Sequence, residues 1–257
     1  SIQEIAELDS RISPKALGGI LTENVGLLNP YLLCQALRSA AIKRGASFLK
    51  GNVKGLTFNG NKIKSVNLEK ESLPCDGAVI ATGPWAGETK AWTGLDIPIR
   101  PLKGQILQFR LPGKRFDWIS HGDTYAVTKP DGLVWIGTTE EEGFNDKPSE
   151  EAYQKILLNI NMLFPSVFAN IQDKLIRQTA CLRPVTPDGS PILGFAEGLE
   201  GLVIATGGGR KGILMGPIMG QIAADLINSG KTPFDINAMR PNREMGKNSK
   251  NLDLLRF

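Results

Sequence analysis

Apolar and polar positions alternate along the 257-residue chain with two periods, one helical and one of strands. The stretch "NPYLLCQALRSAAIKRGA" carries the helical period. Leu32, Leu33, Ala36, Leu37, Ala40 and Ala41 make one apolar stripe, and Arg38, Lys43 and Arg44 face water. Asn29 suits the N-cap, Pro30 the first turn and Gly45 the end, so a helix is expected over about residues 31–44. Strand patterns follow at Ala46–Leu49, Val53–Phe58 and Lys62–Leu68, with Asn59-Gly60-Asn61 turning the last two into a hairpin. "PCDGAVIAT" ends in a continuous apolar run, the mark of a buried strand, which Gly83-Pro84 breaks. Short strands are expected at Gln105–Phe109, Tyr125–Thr128 and Leu133–Gly137. A helix is expected over Ser149–Phe164 with Ser149 as cap and Pro165 as stop, then a strand over Lys174–Leu182. Gly201–Thr206 reads as a buried strand, and Ile213 to about Asn228 as a helix closed by Gly230. The tail after Pro241 is polar and expected to fray. No internal repeat and no long linker divides the chain.

Composition narrows the function classes. The length and the 41% hydrophobic content suffice for one large domain or two small ones with a real core. The net charge of +4 is scattered, with no basic run interleaved with aromatics, which argues against nucleic-acid binding. No apolar run approaches the ~18 residues of a membrane span, and no signal-peptide pattern opens the chain, so a cytoplasmic location is expected. Cys34, Cys75 and Cys181 are far apart, which fits a reducing compartment and no disulfide or zinc framework. His121 is the single histidine, in the loop-like "ISHGDTY"; no metal site and no histidine-based triad are expected.

Two stretches carry candidate chemistry. In "LVIATGGGRKGILMGPIMGQIAADLI" a buried strand runs into three glycines, then Arg210 and Lys211, then a helix. Such a turn lets backbone approach a ligand, and the free N–H groups of a helix start favour an electron-rich partner. The turn is read as neither the GxGxxG fingerprint nor a Walker loop, since no GK[ST] follows; tight packing is the competing explanation. In "CLRPVTPDGSPILG", Arg183 ends a strand ahead of a loop stiffened by Pro184, Pro187 and Pro191. Arg183 and Arg210 could together grip a carboxylate, or each could make a surface ion pair.

"IRPLKGQIL", "YAVTKPDGLVWIGTTEEEGFND", "LRPVTPDGSPILG" and "IATGGGRKGILMGP", in this order and spacing, resemble the D-amino-acid oxidase superfamily of FAD-dependent amine oxidases. The set is most similar to the glycine oxidase branch associated with thiamine synthesis. "LLNPYLLCQALRSAAIKRGA", "VKGLTF" and "AVIATGPWA" extend the resemblance over nearly the whole chain to about Pro241. It implies a mixed α/β fold: a largely antiparallel substrate-domain sheet with helices, plus parts of a Rossmann-like FAD-binding domain. Residues 1–83 and 184–240 would belong to the FAD domain, 84–183 mainly to the substrate domain, and 241–257 to a polar tail.

The resemblance also implies roles. Arg183 would pair with the substrate carboxylate, Tyr125 would turn its hydroxyl to the substrate, and Arg210 would lie near substrate and flavin. Gly208, Gly209, Arg210, Lys211, Gly212, Ile213 and Leu214 would line the isoalloxazine, Thr82 and Gly83 the dinucleotide, and the Val53 backbone the adenine end of FAD. The implied reaction is oxidation of a small amino acid or secondary amine by hydride transfer to FAD, with dioxygen as the final acceptor giving hydrogen peroxide. Two alternatives stand beside it: a flavin dehydrogenase passing electrons elsewhere, and an inactive fragment serving as a binding module. The family's opening strand–GxGxxG–helix unit is not found at the start of this chain. The chain is therefore expected to be a fragment that does not retain FAD and self-associates through exposed strand edges. Lys129 stands where the family often has arginine and Cys181 where glycine is common, and the glycine turn lacks a frequent histidine; these bear on substrate choice.

Overall fold

The computed structural model describes residues 1–118, 120–121, 124–169 and 171–245. Its helices are α1 (Ile2–Leu8), α2 (Pro30–Lys43), α3 (Lys90–Thr93), α4 (Glu150–Leu163), α5 (Pro165–Phe168) and α6 (Gly212–Ser229). Its strands are β1 (Val53–Asn59), β2 (Lys62–Leu68), β3 (Ser72–Pro74), β4 (Ala78–Ile80), β5 (Arg100–Phe109), β6 (Ser120–His121), β7 (Tyr125–Thr128), β8 (Val134–Gly137), β9 (Glu141–Glu142), β10 (Leu175–Val185), β11 (Ile192–Phe195) and β12 (Leu202–Thr206). The architecture is mixed α/β, as expected.

Contacts divide the chain into two compact units. One holds Ser1–Ala46, Lys103–Glu141 and Asn145–Cys181; the other holds Ser47–Leu102, Glu142–Phe144 and Leu182–Phe257. The first unit is built on a sheet of order β10-β5-β8-β7-β6, with β9 also pairing β5. Strand periodicity sorts its side chains. Leu107, Phe109, Ala126, Val134 and Ile136 join Ile156, Leu157 and Ile160 of α4 in one core. Val127, Leu133 and Trp135, with Ile106 and Tyr125, form a separate cluster. A buried polar chain fixes the start of α4: Gln105 accepts from the Ser149 N–H at 2.9 Å and from Gln178 at 2.9 Å, and donates to Glu141 at 2.8 Å. Ser149 in turn caps α4 by accepting from the Ala152 N–H.

The second unit contains the antiparallel meander β1-β2-β3 and a three-stranded sheet of order β11-β12-β4. β12 runs parallel to β4 and antiparallel to β11. Leu193 and Val203 pack under Met219, Ile222, Ala223 and Leu226 of α6, while Ile80, Ile192, Leu202 and Ile204 turn to a second core with Ile63, Ala86 and Ile97. Each fully buried aliphatic side chain stabilises by about 1.5–3 kcal/mol.

Several expectations change. Residues 46–49 are irregular rather than a strand; α4 ends at Leu163, ahead of Pro165 as expected, and Pro165 then occupies the first turn of a further short helix, α5, where its missing N–H is no loss. β10 runs through Arg183 to Val185 instead of ending at Leu182. β11 follows directly on the proline loop, at residues for which no strand is expected. Asn29 caps α2 as expected, yet no residue of α2 is buried, so its apolar stripe is uncovered: Leu32 and Leu37 are about half exposed. The tail does not fray at once. Arg243 and Met245 are held against the second unit, and residues 246–257 lie outside the described residues.

Candidate flavin and substrate site

In the second unit, β4 and β12 deliver two turns to the same end of a parallel strand pair. Thr82-Gly83 follows β4, and Gly207-Gly208-Gly209 follows β12. Thr206 Oγ1 donates to the Gly83 carbonyl at 3.0 Å and ties the turns together. Gly83 and Gly207 have φ of 57° and 80°, left-handed values that glycine alone adopts without strain.

The glycine turn sits against the proline loop. A Cβ on Gly207 would come within 2.7 Å of Thr186 Cγ2 and 3.3 Å of Pro191 Cα, and one on Gly209 would meet the Pro184 carbonyl at 3.8 Å. Arg183 lies in β10, two residues before the strand ends at Val185, and Arg210 immediately follows the glycines. Arg183 is half-buried with its Nη1 shielded from solvent, whereas Arg210 is exposed.

No side chain caps α6, which continues directly from the 3-10 turn over Gly209–Lys211. Ile213 and Leu214 at its start are exposed, Leu214 to 80%. Glycine backbone at the entry to α6 and exposed aliphatics beside it suit a flat apolar ring. The residues present therefore fit the isoalloxazine of FAD.

Other expected residues are placed as follows. Val53 opens β1 with an exposed side chain, Thr82 is exposed, and both share the second unit with Arg183 and Arg210. Tyr125 is half-buried on β7 of the first unit, opposite Gly137 of β8. His121 pairs with Tyr125 through the backbone of β6. Among the described residues no His, Cys, Asp and Glu group could hold a metal ion, and no helix is long and apolar enough to cross a membrane.

Two features escape the sequence reading. Gly207, Gly209 and Gly212 do have Gly-x-Gly-x-x-Gly spacing, between a strand paired in parallel and a helix; the glycine at variable position 208 hides it. Arg243 grips Asp188 of the proline loop with both Nε, at 2.8 Å, and Nη2, at 3.0 Å. Burial works against the Asp188 carboxylate, but hydrogen bonds from Arg243 and the Ser190 N–H, with the Arg243 charge, hold its pKa below the ordinary value.

A parallel strand pair with a glycine turn leading into a helix is a feature shared with dinucleotide-binding α/β units. The chain belongs to the FAD dependent oxidoreductase family, whose sequence pattern it matches over residues 1–226. It is 34% identical over 214 residues to the hydrogen cyanide synthase subunit HcnC of Pseudomonas protegens, covering 81% of this chain and 51% of that protein. It is 27% identical over 248 residues to the glycine oxidase of Geobacillus kaustophilus, covering 95% of this chain and 65% of that protein. The crystal structure of glycine oxidase from Geobacillus kaustophilus superposes with a TM-score of 0.89 at 26% identity, over 96% of this chain and 66% of the other. L-proline dehydrogenase from P. horikoshii gives a TM-score of 0.81 at 26% identity, over 94% and 67% of the two chains. The chain spans about half the length of several curated relatives it matches.

Proposed function

We propose that the protein takes part in FAD-dependent oxidation of a small amino acid or secondary amine, with glycine-type substrates favoured. The observation that carries this reading is the packing of the glycine turn on the proline loop. Arg183 lies just before the proline loop in sequence and Arg210 just after the glycines, and both belong to the second unit, which supports a shared role for the two. The glycine oxidases among its relatives support the substrate class.

In this reading the Gly208–Leu214 segment holds the isoalloxazine side of FAD, Thr82-Gly83 lies by the dinucleotide, and the Val53 backbone meets the adenine. FAD, when bound, supplies a hydride acceptor and passes the electrons on. Arg183 fixes the substrate carboxylate through a charge-assisted N–H···O contact, whose loss costs about 1.5–3 kcal/mol. Tyr125 is assigned a hydroxyl contact with the substrate. These contacts aim the α-C–H; they do not need a strong base, so neither histidine nor cysteine is required. The imine released into water hydrolyses to an oxo acid and ammonia, or to an oxo acid and a primary amine when the substrate is a secondary amine. The functional partition into FAD-domain segments (1–83, 184–240) and a substrate segment (84–183), a cytoplasmic location and a link to thiamine synthesis belong to the same proposal.

Dioxygen is the favoured acceptor. The D-amino acid dehydrogenase of Vibrio vulnificus, 29% identical over 254 residues, supports a second reading in which electrons pass to another acceptor. Flavin absorbance of the whole protein, with peroxide and artificial-acceptor assays across a panel of amino acids, separates the two. Arg183→Ala should raise KM about 10- to 150-fold while leaving flavin absorbance intact. Unchanged KM combined with lost flavin would remove the carboxylate role.

A further inference from the structure

We infer that Arg243 is a positioning residue, which sets the glycine turn and Arg183 relative to each other by acting through Asp188. Arg243 lies beyond residue 226, where the family pattern stops. Its guanidinium makes a two-point fork on the Asp188 carboxylate, at 2.8 and 3.0 Å, and Nη2 also donates to the Ser190 carbonyl at 2.9 Å. This is no solvated surface pair: the two side chains are 11% and 20% exposed. Planar, desolvated forks of this kind fix orientation as well as distance.

The grip passes inward through short contacts. Asp188 Oδ1 accepts from the Ser190 N–H at 3.1 Å, and Thr186 Oγ1 donates to the Ser190 carbonyl at 2.8 Å. Thr186 is fully buried, and its Cγ2 occupies the space a Gly207 side chain would need. The prolines stiffen the loop internally but do not set where it lies against the glycines. Arg243 supplies that external reference. Its own segment is anchored independently: Pro241 Cδ lies 3.0 Å from where a Gly194 Cβ would be, Met245 packs on the core around Ile192 and Ile204, and Nη1 donates to the Arg240 carbonyl at 3.1 Å.

The consequence for catalysis rests on the proposed amine oxidation; the consequence for the glycine turn does not. Hydrogen exchange of Arg243→Gln in this chain should accelerate about tenfold or more at the amides of residues 207–211, with those of β12 and the middle of α6 unchanged. In the flavin-loaded whole protein, the same substitution should raise KM for a glycine-type amine about tenfold or more, with kcat changed less than about threefold. Arg243→Lys should restore part of the loss. Asp188→Asn should reproduce it, and the double variant should behave like either single one. Asp188→Asn also serves if Arg243→Gln fails to fold. Faster exchange confined to residues 186–191, or a uniform loss of protection with KM unchanged, would reduce the pair to a structural brace and overturn the inference. If the wild-type protein binds flavin but oxidises no amine, the proposed substrate falls, while exchange at residues 207–211 still decides the role of Arg243.

Discussion

Gly207 offers a direct test of the site's construction. Replacing it with alanine forces a residue with a side chain to φ near 80°, which costs about 1–2 kcal/mol for an L-residue. The new methyl would also lie 2.7 Å from Thr186 Cγ2 and 3.3 Å from the Ile192 nitrogen and Pro191 Cα. Thr186 cannot swing away freely, because it is fully buried and its hydroxyl is committed to the Ser190 carbonyl at 2.8 Å. Overpacking of this kind adds about 1–3 kcal/mol. The two effects together give about 2–5 kcal/mol, a large part of the 5–15 kcal/mol that ordinarily holds a domain folded. Urea unfolding followed by circular dichroism should show the midpoint falling by roughly 1–2.5 M for a slope near 2 kcal/mol/M. Gly220→Ala is the matched control. That position is exposed within α6, has ordinary φ and open space around its Cβ, so alanine should stabilise by about 0.5–1 kcal/mol. A Gly207→Ala midpoint within about 0.3 M of wild type would refute the argument, because it would mean that the turn and the proline loop are not in contact in solution.

Further outcomes follow from the same contacts. Ser149→Ala should destabilise by about 0.5–2 kcal/mol, read as a lower thermal midpoint, because it removes the α4 cap and a hydrogen-bond acceptor for Gln105. Asp188, lowered in pKa despite its burial, should contribute stability fully above the ordinary carboxylate value, lost as pH falls through its lower folded value; Asp188→Asn should therefore lose stability at pH 7 and show a flatter acid limb in urea titrations. The 257-residue chain should self-associate, because α2 and α6 present apolar side chains such as Leu32, Leu37 and Leu214 to solvent; a monomer by gel filtration and light scattering across a concentration series would count against this.

Local signals made most of the elements legible. Asn29 and Ser149 announced their helices through caps, and Gly60 its hairpin through a turn, because those interactions are made within a few residues. β7 and β12 were readable as apolar runs bounded by glycine or polar residues. What stayed hidden depends on partners distant in sequence. β11 exists because β12 pairs with it, and residues 46–49, equally apolar, remain irregular. The site follows the same rule. Arg183, Arg210 and the glycines stood out by type and motif, but Gly207 is constrained by Thr186, twenty-one positions earlier, and Asp188 is held by Arg243, 55 positions later. The tail reads as frayed because its polarity is real; an arginine that satisfies a half-buried carboxylate is polar too. Charge in a terminal segment therefore marks a solvated end only when no shielded opposite charge awaits it, and Asp188 is such a charge.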